Sequence, residues 1–255
     1  ESYINSFLKL DNSAGKKDSA ITYQIEGVSY EIKREINLNE AAASEVRARR
    51  SYANYDDGIV YVNFSLLSTA DFTSKLSLLE SAKAIIIDNR SYPIIDKSVL
   101  SHFLEKNDTT RSWLRIPYFI YPDQENIAGY EDNNWSLKPK LPYLGSKPVY
   151  ILIGGRTISY GESLLGYFEG YQIATSVGEP SAGTNGNVNP FDLLGGLQVR
   201  WTGMKVVKHD GSQLQGVGFE PDVLVKKTKK GIIEGRDEVL GKALELAREA
   251  IGEDQ

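Results

Sequence analysis

The chain has 255 residues, a length that fits one large domain or a domain with a small appendage. Apolar residues make up 41 % and charged residues 25 %, ordinary for a globular protein. A net charge of −5 with no basic run among aromatics argues against nucleic acid as a partner. No apolar stretch is long enough to cross a bilayer, and the opening ESYINSFLKLDNS is no signal sequence. The absence of cysteine excludes disulfides, a thiol nucleophile and thiolate metal sites. The only histidines are His102 and His209, so a histidine-rich metal centre is excluded and an imidazole base within the chain must be one of these two. Neither a metal nor an organic cofactor is expected.

Apolar residues alternate at Ile21, Tyr23, Ile25 and again at Val28, Tyr30, Ile32, which predicts a β-hairpin. Ala41–Arg50 reads as a linker or short helix. A βαβ-like unit follows: a strand in Gly58–Leu67, a helix through Phe72, Leu76 and Leu79, and a doubly buried strand at Ala84–Asp88. A second helix, SVLSHFLEK, turns Val99, Leu100, Phe103 and Leu104 inward, which sends His102 toward solvent. Asn107–Lys147 is a long connection rich in proline and aromatics. Trp113, Tyr118, Phe119 and Trp135 are expected to cover the sheet, with a peptide or lipid groove as the other use of such a segment.

The second βαβ unit is the strand Val149–Ile153, a turn containing Ser159, the helix GESLLGYFEG and the strand ATSVG. Next come a glycine-rich loop, GEPSAGTNGNVNP, and a predicted hairpin, GLQVRWTGMKVV–HDG–SQLQGVG, that leaves His209 at the surface. The strand PDVLV and an amphipathic helix over Leu240, Leu244, Ala247 and Ile251 close the chain. Two βαβ passes predict an α/β layered fold.

Ser159 has two readings. With Glu162 three residues later it forms the pattern of a capping box, a purely structural role. It also stands at a strand-to-helix turn, where a serine can be a nucleophile and the Tyr160 N–H an oxyanion donor. The surrounding T-I-S-Y-G lacks the first small residue of the G-x-S-x-G elbow. The loop GEPSAGTN has phosphate-loop glycine spacing, but Thr184-Asn185 stand where Lys-[Ser/Thr] is required, so nucleotide binding fails. The pair Asp56-Asp57 lies in a polar linker and reads as solvent-facing.

Four segments, taken together, resemble the C-terminal processing (tail-specific) serine proteases and the related catalytic core of tricorn protease. They are AIIIDNRSYP, KPVYILIGGRTISYGES, GYQIATSVGEPSAGTNGN and HDGSQLQGVGFEPDVLV, in the order of that family. The resemblance implies an α/β fold with a crotonase/ClpP-like layered core over 46–255 and a small N-terminal β-rich segment over 1–45. It implies a serine peptidase that cleaves proteins or peptides through an acyl-enzyme, with Ser159 as nucleophile. It also implies a periplasmic or secreted location; substrate and oligomeric state stay open.

The pattern departs from that family at the base. Thr184 occupies the position of the lysine used by the C-terminal processing branch, and no lysine lies between Ser159 and Gly203. The tricorn-like branch, the closer match, uses an upstream histidine. The expectation is that this histidine precedes Glu1 and that the present chain alone is inactive. Glu220, in GFEPD, is either the acid that orients this histidine or part of a structural turn. The Asp-x-Arg turn carries Pro93, which has no N–H, so Ile94 is the candidate second oxyanion donor. Gly161 replaces the second serine of Ser-x-Ser-Glu. The competing function is a non-catalytic peptide- or lipid-binding module on the same fold. An acyl-CoA enzyme of the crotonase type gives the Ser159 motif no role.

Overall fold

A computed structural model describes residues 20–25, 27–33, 49–55, 57–110, 113–120, 126–195 and 197–253. The chain divides into two compact units, 1–50 and 51–255. In the first, β1 (Ala20–Ile25) and β2 (Val28–Lys33) form the antiparallel hairpin foreseen from the alternation, with Tyr23 opposite Tyr30. Of the linker reading at Ala41–Arg50, positions 41–48 lie outside the described residues.

The second unit is built on a six-stranded sheet in the order β13-β9-β8-β5-β4-β3. Its centre is β4 (Ile59–Asn63), β5 (Ala84–Asp88) and β8 (Val149–Ile153), parallel and buried at every position. β9 (Thr175–Gly178) and β13 (Val223–Leu224) extend it in parallel, and β3 (Tyr52–Asn54) closes the other edge antiparallel. Continuous apolar runs are what such strands require, because both faces are covered.

Successive side chains feed opposite layers. Val60, Val62, Ile85, Ile87, Ile151 and Ile153 meet a core with Phe64, Phe72, Phe103 and Phe168. Tyr61, Ile86, Tyr150 and Leu152 meet Val239, Ala243 and Ala247 on the other side. Those last residues belong to α5 (Glu238–Glu253), which follows the short α4 (Lys229–Ile233), and the first layer is completed by α3 (Tyr160–Gly170). The expected helix through Phe72 is two short ones, α1 (Thr69–Ser74) and α2 (Leu76–Ser81), broken at Lys75. The next expected helix is a 3-10 helix, Lys97–His102.

Two departures concern the connections. The proline- and aromatic-rich segment contains β6 (Leu114–Phe119) and β7 (Ile127–Asn133), which join β12 (Lys205–Val206) in a separate sheet. Trp113 is buried there, whereas Tyr118 and Phe119 face solvent. The expected hairpin across HDG is absent apart from one bridge, Val207 to Gln213. Instead β11 (Leu197–Trp201) pairs with β10 (Asn189–Leu193), part of the presumed glycine-rich loop. Among the described residues no helix is long and apolar enough to cross a membrane.

Parallel β4, β5, β8 and β9 all end on one side of the sheet. The loops that follow their carboxyl ends therefore converge, as in open α/β sheets whose ligands bind at that edge. One ion-pair network ties this edge together. The Asp88 carboxylate, 1 % exposed, accepts from the Arg90 guanidinium at 2.7 Å and from the Tyr61 hydroxyl at 2.8 Å. Arg90 donates further to both oxygens of Asp237, at 2.6 and 2.7 Å, just before α5.

Candidate active site

Ser159 is the residue immediately before α3, with φ 50° and ψ −117°. That conformation is the first central position of a type II′ turn, where glycine is the comfortable residue. A non-glycine residue held there is strained by about 1–3 kcal/mol and persists only when its surroundings impose it. A strained serine on a strand-to-helix turn is the arrangement of a nucleophile elbow. Of the capping box the serine's half is missing: the hydroxyl makes no cap bond, while the Ser159 N–H still faces the Glu162 carboxylate.

The helix N-terminus supplies the polar environment. Of its first N–H groups, Gly161 donates to the Ile158 carbonyl, and Glu162 and Ser163 both donate to the Ser159 carbonyl. The Tyr160 N–H is the one left over beside the hydroxyl. The Tyr160 side chain is tied back by its own hydroxyl, which donates to the Ile95 carbonyl at 3.0 Å, and its ring lies against Trp135 and Tyr92.

Three loops meet at this turn. Buried Thr157 donates its hydroxyl to the Asn89 carbonyl at 2.8 Å and accepts from the Gly154 N–H at 3.1 Å. Asn89 donates to the Gly161 carbonyl at 2.9 Å, and a Cβ on Gly161 would lie 3.4 Å from Pro93. A side chain at Gly161 would therefore make only ordinary van der Waals contact with Pro93, Thr157 and Asn89. The third loop, 181–184, is held by Glu162. Its carboxylate accepts from Ser181 Oγ at 2.6 Å and from the N–H groups of Gly183 and Thr184 at 2.7 and 2.9 Å. Burial pushes the Glu162 carboxyl upward overall, against these hydrogen bonds.

The remaining sequence candidates fall as follows. The Ile94 N–H donates to the Phe64 carbonyl at 2.9 Å, so it is engaged by the chain after β4 and does not serve as the second oxyanion donor in this arrangement. Glu220 is exposed on the turn after Phe219. The anchor of that turn is Asp222, which accepts from the N–H and hydroxyl of Ser176, each at 2.7 Å. The Thr184 side chain is exposed, but its carbonyl accepts the Ser159 N–H at 2.7 Å. Thr184, which the resemblance sets at the position of a lysine, therefore lies beside Ser159 and carries no basic group.

Both histidines are placed differently from expectation. His102 is buried, with Nδ1 3.1 Å from the Pro142 carbonyl oxygen and its ring near Phe72. His209 is tucked behind α3 among Trp113, Tyr167 and Tyr171, where burial pushes its pKa down to about 4. It touches Gly166 and Gly170. At 1.5 Å per residue these lie roughly 10 and 16 Å along the helix from Ser159. The sequence signal for this was the pair of small residues four apart on α3, which opens a groove for a ring. A Cβ at Gly170 would come within 2.6 Å of His209 Nδ1. Gly170→Ala is therefore expected to lower stability by about 1–2 kcal/mol despite its better helix propensity, read as a shift of the urea midpoint. Unchanged stability would place His209 elsewhere.

Residues 102–225 match the profile of peptidase family S41. The chain is 31 % identical over 187 residues to a carboxy-terminal-processing protease of Bartonella bacilliformis, covering 71 % of this chain and 40 % of that relative's length. The fold is similar to that of a candidate peptidase from Parabacteroides merdae, with a TM-score of 0.63 at 16 % identity over 97 % of this chain and 83 % of the other. It is also similar to mature CPAF complexed with lactacystin, with a TM-score of 0.60 at 14 % identity over 92 % and 68 % of the two chains.

Proposed function

The chain carries a peptidase family S41 domain and is a homologue of the carboxy-terminal-processing proteases, and from that premise we propose that it is a serine endopeptidase with Ser159 as nucleophile. The observation that carries this reading is the strained Ser159 turn with its hydroxyl free of any cap bond. In the reaction, Ser159 Oγ attacks the carbonyl carbon of a peptide bond while a base takes the hydroxyl proton. The carbonyl oxygen becomes an oxyanion beside the Tyr160 N–H. Collapse expels the amine, which receives the proton, and leaves an acyl-enzyme that water hydrolyses.

The base is a histidine from outside these 255 residues, as in the tricorn-like branch. Three observations support this: Thr184 stands at the lysine position, His209 lies behind α3, and His102 is buried on the Pro142 carbonyl. Glu220 orients the incoming imidazole from its exposed turn. The substrate is a protein or peptide, met in a periplasmic or secreted setting.

Thr184 at the turn and the placement of both histidines away from it, among the described residues, also favour a second reading, a peptide- or lipid-binding module. The experiment incubates the full-length protein with an unfolded protein substrate and reads fragments by mass spectrometry. Internal cleavage that disappears in Ser159→Ala is expected. Binding of the substrate without any fragment would replace the peptidase reading with the binding one.

A further inference from the structure

Glu162 is 0 % exposed, an uncommon place for a carboxylate. Its carboxylate is held by one loop, through Ser181, Gly183 and Thr184, and also lies within reach of the Ser159 backbone N–H; that loop in turn holds Ser159. The contacts close a ring. The Ser159 N–H donates to the Thr184 carbonyl at 2.7 Å. The Thr184 N–H donates to Glu162 Oε2 at 2.9 Å. The Glu162 N–H donates to the Ser159 carbonyl at 2.9 Å. Glu162 Oε1 fixes the loop on the far side through Ser181 Oγ and the Gly183 N–H. Ser181 Oγ accepts the Phe219 N–H at 2.8 Å, and a Cβ on Gly183 would press on the Val217–Gly218 backbone, so the loop is backed by a second turn.

A residue at φ 50° needs such a frame, because without it the backbone relaxes to a cheaper region. We propose that Glu162 is a positioning residue: through the Thr184 carbonyl it imposes the strained Ser159 turn that aims the hydroxyl and the Tyr160 N–H at one point. This deepens the nucleophile reading and rests on it for its catalytic meaning. Glu162 itself touches no reacting atom. A glutamine in its place keeps an oxygen for Ser181 and Gly183 but turns an NH₂ toward the Thr184 N–H, donor against donor, which unseats the link to Ser159.

The test uses the absence of cysteine from the chain. Ser159→Cys introduces one thiol, whose pKa, read from the pH profile of iodoacetamide alkylation, reports the nearby backbone donors. It is expected below the ordinary value of about 8.5. Adding Glu162→Gln is expected to raise it by about one unit, or roughly tenfold less thiolate at neutral pH. Removing a nearby negative charge would by itself lower the thiol pKa, so a rise reads the turn and not the lost charge. Ser181→Ala, with Glu162 intact, is expected to shift it the same way by less. A purely structural role predicts a lower melting temperature with the thiol pKa unmoved; that result, or a fall, overturns the proposal. Should Glu162→Gln not fold, the Ser181→Ala shift alone decides. The readout needs neither base nor substrate. Failure of Ser159 to react as a nucleophile in the full-length protein would therefore remove the peptidase reading and leave this result standing by itself.

Discussion

Replacing Ser159 by alanine is expected to lower peptide hydrolysis by the full-length protein by about 10⁴–10⁶-fold, the range seen when a nucleophile is deleted from a serine-base unit. The loss falls on the chemical step, since the hydroxyl forms the acyl bond and no other group of the turn can replace it. Ser159→Gly should be equally inactive and yet more stable than Ser159→Ala. At φ 50° alanine keeps the steric strain and glycine relieves it. The net gain after glycine's greater chain entropy is about 1 kcal/mol, which corresponds to a melting temperature about 2–4 °C higher. Calorimetry on the two variants measures it. Equal melting temperatures would mean that the turn is unstrained and the elbow reading is wrong.

The second large effect is on stability. Arg90, 6 % exposed, is shared between the Asp88 and Asp237 carboxylates. Arg90→Met keeps much of the volume but leaves Asp88 buried without its cation and releases the segment before α5. The expected cost is about 3–5 kcal/mol, the range for breaking one side of a buried ion pair. The pH dependence follows from Asp237. Burial pushes its carboxyl up, but the Arg90 hydrogen bonds and charge outweigh this and hold it below its usual range. A depressed folded pKa adds stability that is present above the unfolded value, about 3.9, and is lost as pH falls through the lower folded one. The wild-type advantage over Arg90→Met should therefore be full at neutral pH and shrink below about pH 4. A gap that stays constant into acid would detach Asp237 from the stabilisation.

The layered fold was legible because β5 and β8 are buried on both faces, which writes an uninterrupted apolar run into the sequence. The β10–β11 ribbon was not. One face carries Phe191, Leu193, Leu197, Val199 and Trp201, but its first strand follows a glycine-rich loop and contains Pro190. The local signal in GLQVRWTGMKVV, which includes β11, pointed instead to a hairpin across HDG, where only one bridge forms. His102 and His209 were misplaced for a related reason. Periodicity along their own segments cannot show that Pro142 or the Gly166–Gly170 groove receives the ring.

At the site, Ser159 stood out from the strand, the Gly154-Gly155 pair and the following helix. What the sequence hid was the backbone part of the arrangement. The Thr184 carbonyl on the Ser159 N–H and the Phe64 carbonyl on the Ile94 N–H leave no side-chain signature, yet they decide which groups face the hydroxyl. Glu162 was visible only as half of a capping box, because its loop partners lie nineteen to twenty-two residues later in the chain.

The central claim is that Ser159 is a nucleophile, and the most direct measurement is reaction of the full-length protein with a fluorophosphonate, followed by mapping of the adduct by peptide mass. The account predicts one phosphonyl group on Ser159, absent from Ser159→Ala. A folded protein that takes up no label on Ser159 would contradict it.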